Sequence, residues 1–152
     1  MIRKYLLFLI ISISCLTGSV SAQYYYKDLW SAQPLVKEFS ILRNENIKNI
    51  IVKSFEDDGQ PSEGFFCEKR IDKNYTQSEM SSRSYISGES LLITYYNGKG
   101  QIIKTIDSSG TSSSHSNFSY DEKSRLKTIT NITKADDDTL GGITEVRQYY
   151  YN

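Results

Sequence analysis

The stretch that decides the fold covers residues 91–126, LLITYYNGKGQIIKTIDSSGTSSSHSNFSYDEKSRL. It holds two copies of one short pattern, YNGKGQI at residues 96–102 and YDEKSRL at residues 120–126. Each copy has an aromatic residue, Asn or Asp, two further residues, a small turn residue, Gln or Arg, and an aliphatic residue. Because apolar runs flank both copies, the pattern predicts tight turns between paired antiparallel strands.

A third copy of the pattern, FEDDGQP, lies at residues 55–61 and has Pro61 in place of the aliphatic residue. Its Asp58-Gly59 pair predicts a tight turn, because glycine adopts a positive φ without penalty. The pair Tyr151-Asn152 matches the start of a further copy.

Around these turns the sequence predicts an all-β fold. Residues 35–42 fit both helical and strand spacing, and we favour a strand. The Ser-rich or acidic segments 72–89, 108–116 and 134–142 are predicted loops, the first with at most a short strand near residues 84–86. Predicted strands occupy residues 47–55, 65–71, 91–97, 101–107, 117–121, 125–133 and 143–151.

These elements predict an antiparallel meander that forms a curled sheet or a small sandwich. Simple alternation would place Ile102 and Ile106 on one face of their strand and Ile103 on the other. A sheet that is apolar on both faces needs cover on both. We therefore expect curling, a second layer or a partner packed against one face.

The first 22 residues have the features of a secretory signal peptide. Arg3 and Lys4 precede an apolar run that is too short to cross a bilayer comfortably, and Val20-Ser21-Ala22 offers a cleavage site. Alternatives are an uncleaved anchor, a buried strand, or cleavage before Cys15 with lipidation, which the residues ahead of Cys15 fit less well. We expect a secreted, periplasmic or envelope protein with one domain, residues 23–152, and no transmembrane span.

Charge argues against nucleic acid as a partner. The whole chain carries 18 Lys+Arg and 18 Asp+Glu, and removal of Arg3 and Lys4 leaves 16 basic against 18 acidic residues. A net charge of −2 provides no basic excess for a phosphate backbone or for polybasic membrane docking.

Catalytic and metal-binding residue types are scarce. After cleavage Cys67 is the only cysteine, so we expect a free thiol, buried between apolar neighbours such as Phe65 and Phe66, or an intermolecular bridge. His115 is the only histidine and lies among serines, where we expect it to be solvated. These residues cannot assemble an ordinary zinc site or a nucleophile with its base. We predict no enzyme activity and no cofactor.

Two groups of residues are candidates for binding. Asp136, Asp137 and Asp138 could hold a hard cation such as Ca²⁺, although a solvated acidic hairpin tip is the favoured interpretation. Tyr95, Tyr149 and Tyr151 belong to tyrosine clusters that could present contact area to a protein or a glycan. For any single tyrosine, cross-strand packing is the favoured alternative.

The repeated pattern resembles the YD repeats of Rhs-type proteins and related cell-surface proteins, in which tyrosine, aspartate, two variable residues, glycine, arginine and leucine follow one another. Residues 120–126 match this order with Ser124 in the glycine position, and residues 96–102 match it more loosely. The chain is also similar to exported bacterial proteins of unknown function, common in Bacteroidetes-like genomes. The resemblance covers about half of the chain, and the copies start at irregular intervals of 41, 24 and 31 residues. The resemblance implies that the tyrosines and glycines serve strand pairing and turns. Long arrays of the family build shells around a cargo, and two or three copies cannot close such a shell.

The functional expectation is an exported, non-catalytic interaction module of the cell envelope or surface. One alternative is a structural piece of a longer YD-repeat surface protein. Another is a carbohydrate- or calcium-binding β module. The last predicted strand, residues 143–151, would have an unpaired edge through which the chain could associate with itself.

Overall fold

The computed structural model describes residues 28, 35–110, 112–135 and 142–152, and within these residues it shows the following fold. Eight strands form a single antiparallel sheet in which each strand pairs with the next along the chain, from β1 to β8. This confirms the predicted all-β antiparallel meander. One helix, α1, covers residues 35–44. The strands are β1 Asn49–Val52, β2 Phe66–Ile71, β3 Gln77–Ser84, β4 Gly88–Tyr96, β5 Ile102–Ser109, β6 Ser112–Tyr120, β7 Leu126–Ala135 and β8 Ile143–Gln148.

The strand predicted over residues 35–42 is wrong, because this segment is helical. Phe39 and Leu42, three residues apart, are both buried, whereas Ile41 is 48% exposed. This is the spacing of one apolar helix face, and it favours a helix once a sheet is present to cover that face. The helix ends at residue 44 and is followed by Asn46, whose φ of 55° is left-handed, and the N–H of Ile47 donates to the carbonyl of Leu42 at 2.8 Å. These features form a Schellman cap.

Two of the predicted loops are also wrong, because most of their residues lie in strands. Segment 72–89 contains all of β3 and the start of β4, and segment 108–116 contains the end of β5 and the start of β6. The polar, Ser-rich composition favours a loop, but strand formation depends on context, and here neighbouring strands on both sides accept the backbone hydrogen bonds. The hydroxyls also pair across strands, as Ser82 and Ser90 do at 2.7 Å.

A bulge lies beside each of the two full pattern copies, and its extra residue, Ile103 in β5 or Lys127 in β7, directly follows the copy. The register shifts between Tyr95 and Tyr96 in the β4–β5 hairpin and between Ser119 and Tyr120 in the β6–β7 hairpin. As a result Ile102 pairs with Tyr96, while Ile106 pairs with Ile93, which faces the opposite side of β4. The prediction that Ile102 and Ile106 share a face is therefore wrong, because the extra residue of a bulge reverses the alternation.

The pattern copies form closely similar turns. The N–H of Asn97 donates to Gln101 O and the N–H of Asp121 donates to Arg125 O, both at 2.9 Å. In each turn the side chain of the Asn or Asp also accepts the N–H of the Gln or Arg four residues later, at 3.0 Å and 2.8 Å. The small residue of each copy has a positive φ, which is 81° at Gly59, 76° at Gly100 and 63° at Ser124.

A further turn of this type was not predicted. Asp72 accepts the backbone N–H groups of Thr76 and Gln77 at 2.6 Å and 2.7 Å. Tyr75 takes the left-handed position of this turn with a φ of 58°. The turn is one residue longer than the other copies, and a tyrosine stands where the pattern has a small residue, so the sequence pattern does not reveal it.

The buried residues lie on one side of the sheet. We call this side, which carries Ile71, Leu92, Tyr96 and Ile129, the core face, and the opposite side, which carries Ile93, the outer face. Helix α1 packs on the core face, where its buried residues form a cluster with Ile71 and Tyr75. A second cluster lies near the other end of the sheet and contains Leu126, Ile129 and Tyr149.

Candidate functional site: an apolar cavity on the core face

A cavity of about 420 Å³ lies on the core face between the two clusters. Its volume is within the usual range of small-molecule sites. Alternate residues of the central strands point into it, because the pairing register places them on the same face. In the described part of the chain its lining residues are Asp28, Leu35, Lys69, Ser78, Met80, Leu92, Thr94, Tyr96, Ile102, Thr105, Phe118, Tyr120, Leu126 and Ile129.

Few polar groups of this lining are available to a ligand. Ser78 and Thr94 are 3% and 6% exposed, and the hydroxyls of Ser78 and Tyr96 share a hydrogen bond of 3.1 Å. The hydroxyl of Tyr120 donates to the carbonyl of Ile102 at 2.7 Å, and burial raises the pKa of this phenol. Within the described residues, no buried side-chain nitrogen or oxygen lacks a hydrogen-bond partner. The cavity therefore suits an apolar group rather than one that needs many hydrogen bonds.

A charged network lies beside the cavity and includes its lining residue Asp28. The carboxylate of Asp28 accepts a hydrogen bond from Arg147 at 2.7 Å and one from the Tyr149 hydroxyl at 2.6 Å. Arg147 also donates to Glu145 from two of its nitrogens, at 2.8 Å and 3.0 Å. The hydrogen bonds that Arg147 donates to Glu145 and Asp28 raise its pKa. Burial, followed by the hydrogen bond to Asp28, raises the pKa of Tyr149. The network ties Asp28 to the last strand.

The three candidate tyrosines do not form one outward surface. Tyr149 is 9% exposed and belongs to the second cluster. Tyr151 packs against that cluster, donates to Leu126 O at 2.7 Å and lies 4.2 Å from the Arg125 guanidinium. Tyr95 is half-buried on the outer face, with Lys104 at 5.8 Å from its ring centre. Tyr149 is therefore buried and does not present the contact area that was expected of it. Cross-strand packing leaves Tyr150, at 85%, as the exposed tyrosine of its cluster.

The other candidates are placed as follows. Asp136, Asp137 and Asp138 lie outside the described residues, and within the described ranges no three His, Cys, Asp or Glu side chains are grouped to hold a metal. Cys67 is half-buried rather than buried, because the neighbouring Phe65 and Phe66 are 36% and 41% exposed and give it little cover. His115 is exposed, as expected, but it lies in strand β6 on the outer face rather than in a loop.

A second concavity of about 610 Å³ lies mainly on the outer face, near the ends of β2 to β5. It is a broad depression with a mixed lining that includes Phe66, Leu91, Arg83 and Glu89. The exposed aromatic and charged side chains of this lining offer less enclosure to a ligand than the core-face cavity does.

Sequence reasoning missed the core-face site because its lining comes from six different strands and the helix. The available signal was the alternation of Leu92, Thr94 and Tyr96, but without the strand register it could not be tied to Met80, Phe118 or Ile129. In the part of the chain that the structure describes, no helix has the length and apolar character needed to cross a membrane. Comparisons with protein-family models, curated proteins and solved structures found no match to this chain.

Proposed function

We propose that the protein is an exported, non-catalytic binding module of the cell envelope or surface, and that its site is the core-face cavity. The observation that carries this proposal is a concavity of about 420 Å³ whose walls are mostly apolar and whose polar groups are largely engaged within the fold. Burial of apolar surface in such a site is favourable by about 25 cal/mol per Å². The ligand is therefore an apolar small molecule.

Adjacent residues of β5 provide a matched test. Thr105 lines the cavity, whereas Ile106 faces the outer side, and both are half-buried. We expect the wild-type chain to bind the fluorescent probe 1-anilinonaphthalene-8-sulfonate saturably. Thr105→Phe, which fills the cavity, should weaken binding at least about tenfold, while Ile106→Phe should leave it unchanged.

The probe also binds molten states, so each variant must first show a cooperative thermal transition. Equal binding by both folded variants, or no saturable binding by the wild type, would refute the cavity as the site.

Export is a separate part of the proposal and rests on the basic start, short apolar run and small residues of segment 1–22. Expression of the full chain in a bacterial host should yield a mature form that begins at Gln23, as read by N-terminal sequencing. A product found with Met1 intact in the cytoplasm would contradict export, and a lipidated N-terminal Cys15 would establish the lipoprotein alternative.

A second proposal is that the chain is a structural piece of a longer YD-repeat surface protein. What supports it is one repeated contact: Tyr120 donates to Ile102 O and Tyr151 donates to Leu126 O, each at 2.7 Å. In both cases the tyrosine of one copy binds the aliphatic residue of the copy before it. The genomic sequence around the coding region tests the idea, since an adjoining frame that continues the pattern supports it and an unrelated frame on each side counts against it.

A further inference from the structure

Within the described residues, the edge of β8 that faces away from β7 carries backbone groups without a partner. In the described part of the chain, β8 pairs only with β7. The N–H of Tyr149 donates to Lys127 O at 2.9 Å, so the backbone groups of residues 143, 145 and 147, which alternate with it, also point to β7. The N–H and C=O groups of Thr144, Val146 and Gln148 therefore point away from the sheet. The side chains are exposed as well, 77% for Ile143 and 54% for Val146.

The charges of β8 select one register for pairing with an identical strand. Antiparallel pairing must place residues whose backbone groups point away from β7 opposite one another. The second strand can therefore be shifted only by an even number of residues. If Val146 is opposite Val146 of the second copy, Glu145 lies opposite Arg147 of the second copy, and Thr144 lies opposite Gln148 of the second copy. The neighbouring allowed registers place Glu145 opposite itself or Arg147 opposite itself. Like charges directly opposite are destabilising, whereas opposite charges attract.

We propose that the protein forms a two-fold dimer in which β8 pairs antiparallel with β8 of a second copy, centred on Val146. The outward residues Thr144, Val146 and Gln148 each exchange two backbone hydrogen bonds with their opposite residues. Each Glu145 contacts Arg147 of the second copy, which joins the two networks of Arg147, Glu145 and Asp28. On the outer face the two Val146 side chains cover each other. The result is one continuous sheet built from two chains.

The other edge of the sheet is a poorer partner. Strand β1 has four residues, Asn49–Val52. The N–H of Ile71 donates to Lys48 O at 2.8 Å, so within β1 only Asn49 and Ile51 point outward. Pairing of β8 with β1 of another copy would also be head-to-tail and would lead to rings or open chains, whereas pairing of β8 with itself closes at a dimer. The dimer goes beyond the proposed ligand-binding function, and neither depends on the other.

Cysteine cross-linking tests the register. In the full chain with Cys15→Ser and Cys67→Ser, Val146→Cys should form a disulfide dimer on mild oxidation, because opposite hydrogen-bonded residues have Cα atoms about 5.5 Å apart, within disulfide range. Thr144→Cys alone and Gln148→Cys alone should not cross-link, since the Cα atom of each residue is about 14 Å from that of the same residue in the second copy. A mixture of the two proteins should cross-link, because residue 144 of one copy then lies opposite residue 148 of the other. Cross-linking of Thr144→Cys with itself, or none by Val146→Cys, would overturn the register.

Proline substitution tests the edge without cysteine. The N–H of Val146 is not used in the β7–β8 ladder, so Val146→Pro removes an outward donor while the monomer keeps its hydrogen bonds. We expect the dimer dissociation constant to rise at least about tenfold, as measured by analytical ultracentrifugation. Ile51→Pro makes the same change at the β1 edge and should leave dimerisation unaltered. A wild-type chain that stays monomeric, that forms open filaments, or that loses its dimer with Ile51→Pro would refute the proposal.

Discussion

Single residues in the left-handed region decide the shape of the turns. Gly100 combines a φ of 76° with close contact, since a Cβ atom at this position would lie 2.5 Å from Cδ1 of Phe39. Gly59 has a φ of 81° with open space around it, and Gly98 has neither feature. Position 100 therefore requires glycine both for its backbone conformation and for the approach of helix α1.

These three glycines separate the cost of conformation from the cost of packing. Gly59→Ala should lower the free energy of unfolding by about 1–2 kcal/mol, the cost of a left-handed L-residue. Gly100→Ala should lower it by about 2–4 kcal/mol, because the clash with Phe39 adds overpacking. Gly98→Ala should change it by less than about 0.5 kcal/mol. Urea denaturation measures all three, and equal effects at positions 59 and 100 would show that Phe39 moves aside without cost.

Asp121 organises the turn of the second pattern copy through its charge. It accepts hydrogen bonds from the N–H of Arg125 at 2.8 Å and from the Arg125 guanidinium at 2.8 Å. The backbone bond from Arg125 is the main reason that the pKa of Asp121 lies below its usual value. Asn97 fills the same position in the first copy without any charge.

This difference predicts an acid-sensitive turn. Because folding lowers the pKa of Asp121, its stabilising effect is complete above the unfolded-state value of about 3.9 and is lost as the pH falls through the lower folded-state value. Asp121→Asn keeps an acceptor but cannot be protonated in this range. Its loss of unfolding free energy between pH 6 and pH 3 should be smaller than that of the wild type. Parallel losses in both proteins would mean that other carboxylates, such as Asp72, dominate the acid response.

At the scale of elements, helix α1 stabilises one end of the core face. Phe39 is 6% exposed, and its ring centre lies 4.7 Å from that of Tyr96 and 6.3 Å from that of Tyr75. Edge-to-face and tilted aromatic pairs of this kind add to the stability that burial provides. The neighbouring Ile41 points away from the sheet.

Truncation of Phe39 should therefore be severe. We expect Phe39→Ala to lower the unfolding free energy by about 3–5 kcal/mol, the usual cost of removing a buried phenylalanine ring. Ile41→Ala, on the same helix but 48% exposed, should cost less than about 1 kcal/mol. Thermal and urea unfolding provide the comparison. A small effect at Phe39 would indicate that the sheet does not depend on the helix.

At the scale of the whole molecule, the protein is an open sheet with one partly covered face. The two buried clusters lie toward opposite ends of the sheet, with the cavity between them. The central strands pair on both sides, whereas β1 and β8 pair on one side within the described residues. Stability should accordingly fall from the centre to the edges.

Hydrogen exchange measured by mass spectrometry would reveal this gradient. At concentrations low enough to keep the chain monomeric, amides of β5 and β6 should exchange slowest, and those of β1 and β8 fastest. Raising the concentration should slow exchange in β8 and not in β1, because the proposed dimer pairs Thr144, Val146 and Gln148. Uniform protection across all eight strands would indicate a single cooperative unit instead.

The sequence by itself determined the turns, the antiparallel order and the scarcity of catalytic residue types. Turn chemistry is local. In the copies at residues 96–102 and 120–126 an Asn or Asp with a small residue three positions later binds its own backbone, and in the copy at residues 55–61 the Asp58-Gly59 pair marks the turn, so all three were recognisable in isolation. Only the tertiary structure decided that residues 35–44 are helical, that the serines of β3 and β6 lie in strands and that Tyr149 is buried. Each of these depends on a neighbour distant in sequence, namely the sheet under Phe39, the strands that flank the serines, and Asp28 beside Tyr149. The two bulges belong to the same class, because the extra residue in β5 places Ile102 on the core face, where it lines the cavity, and Ile106 on the outer face.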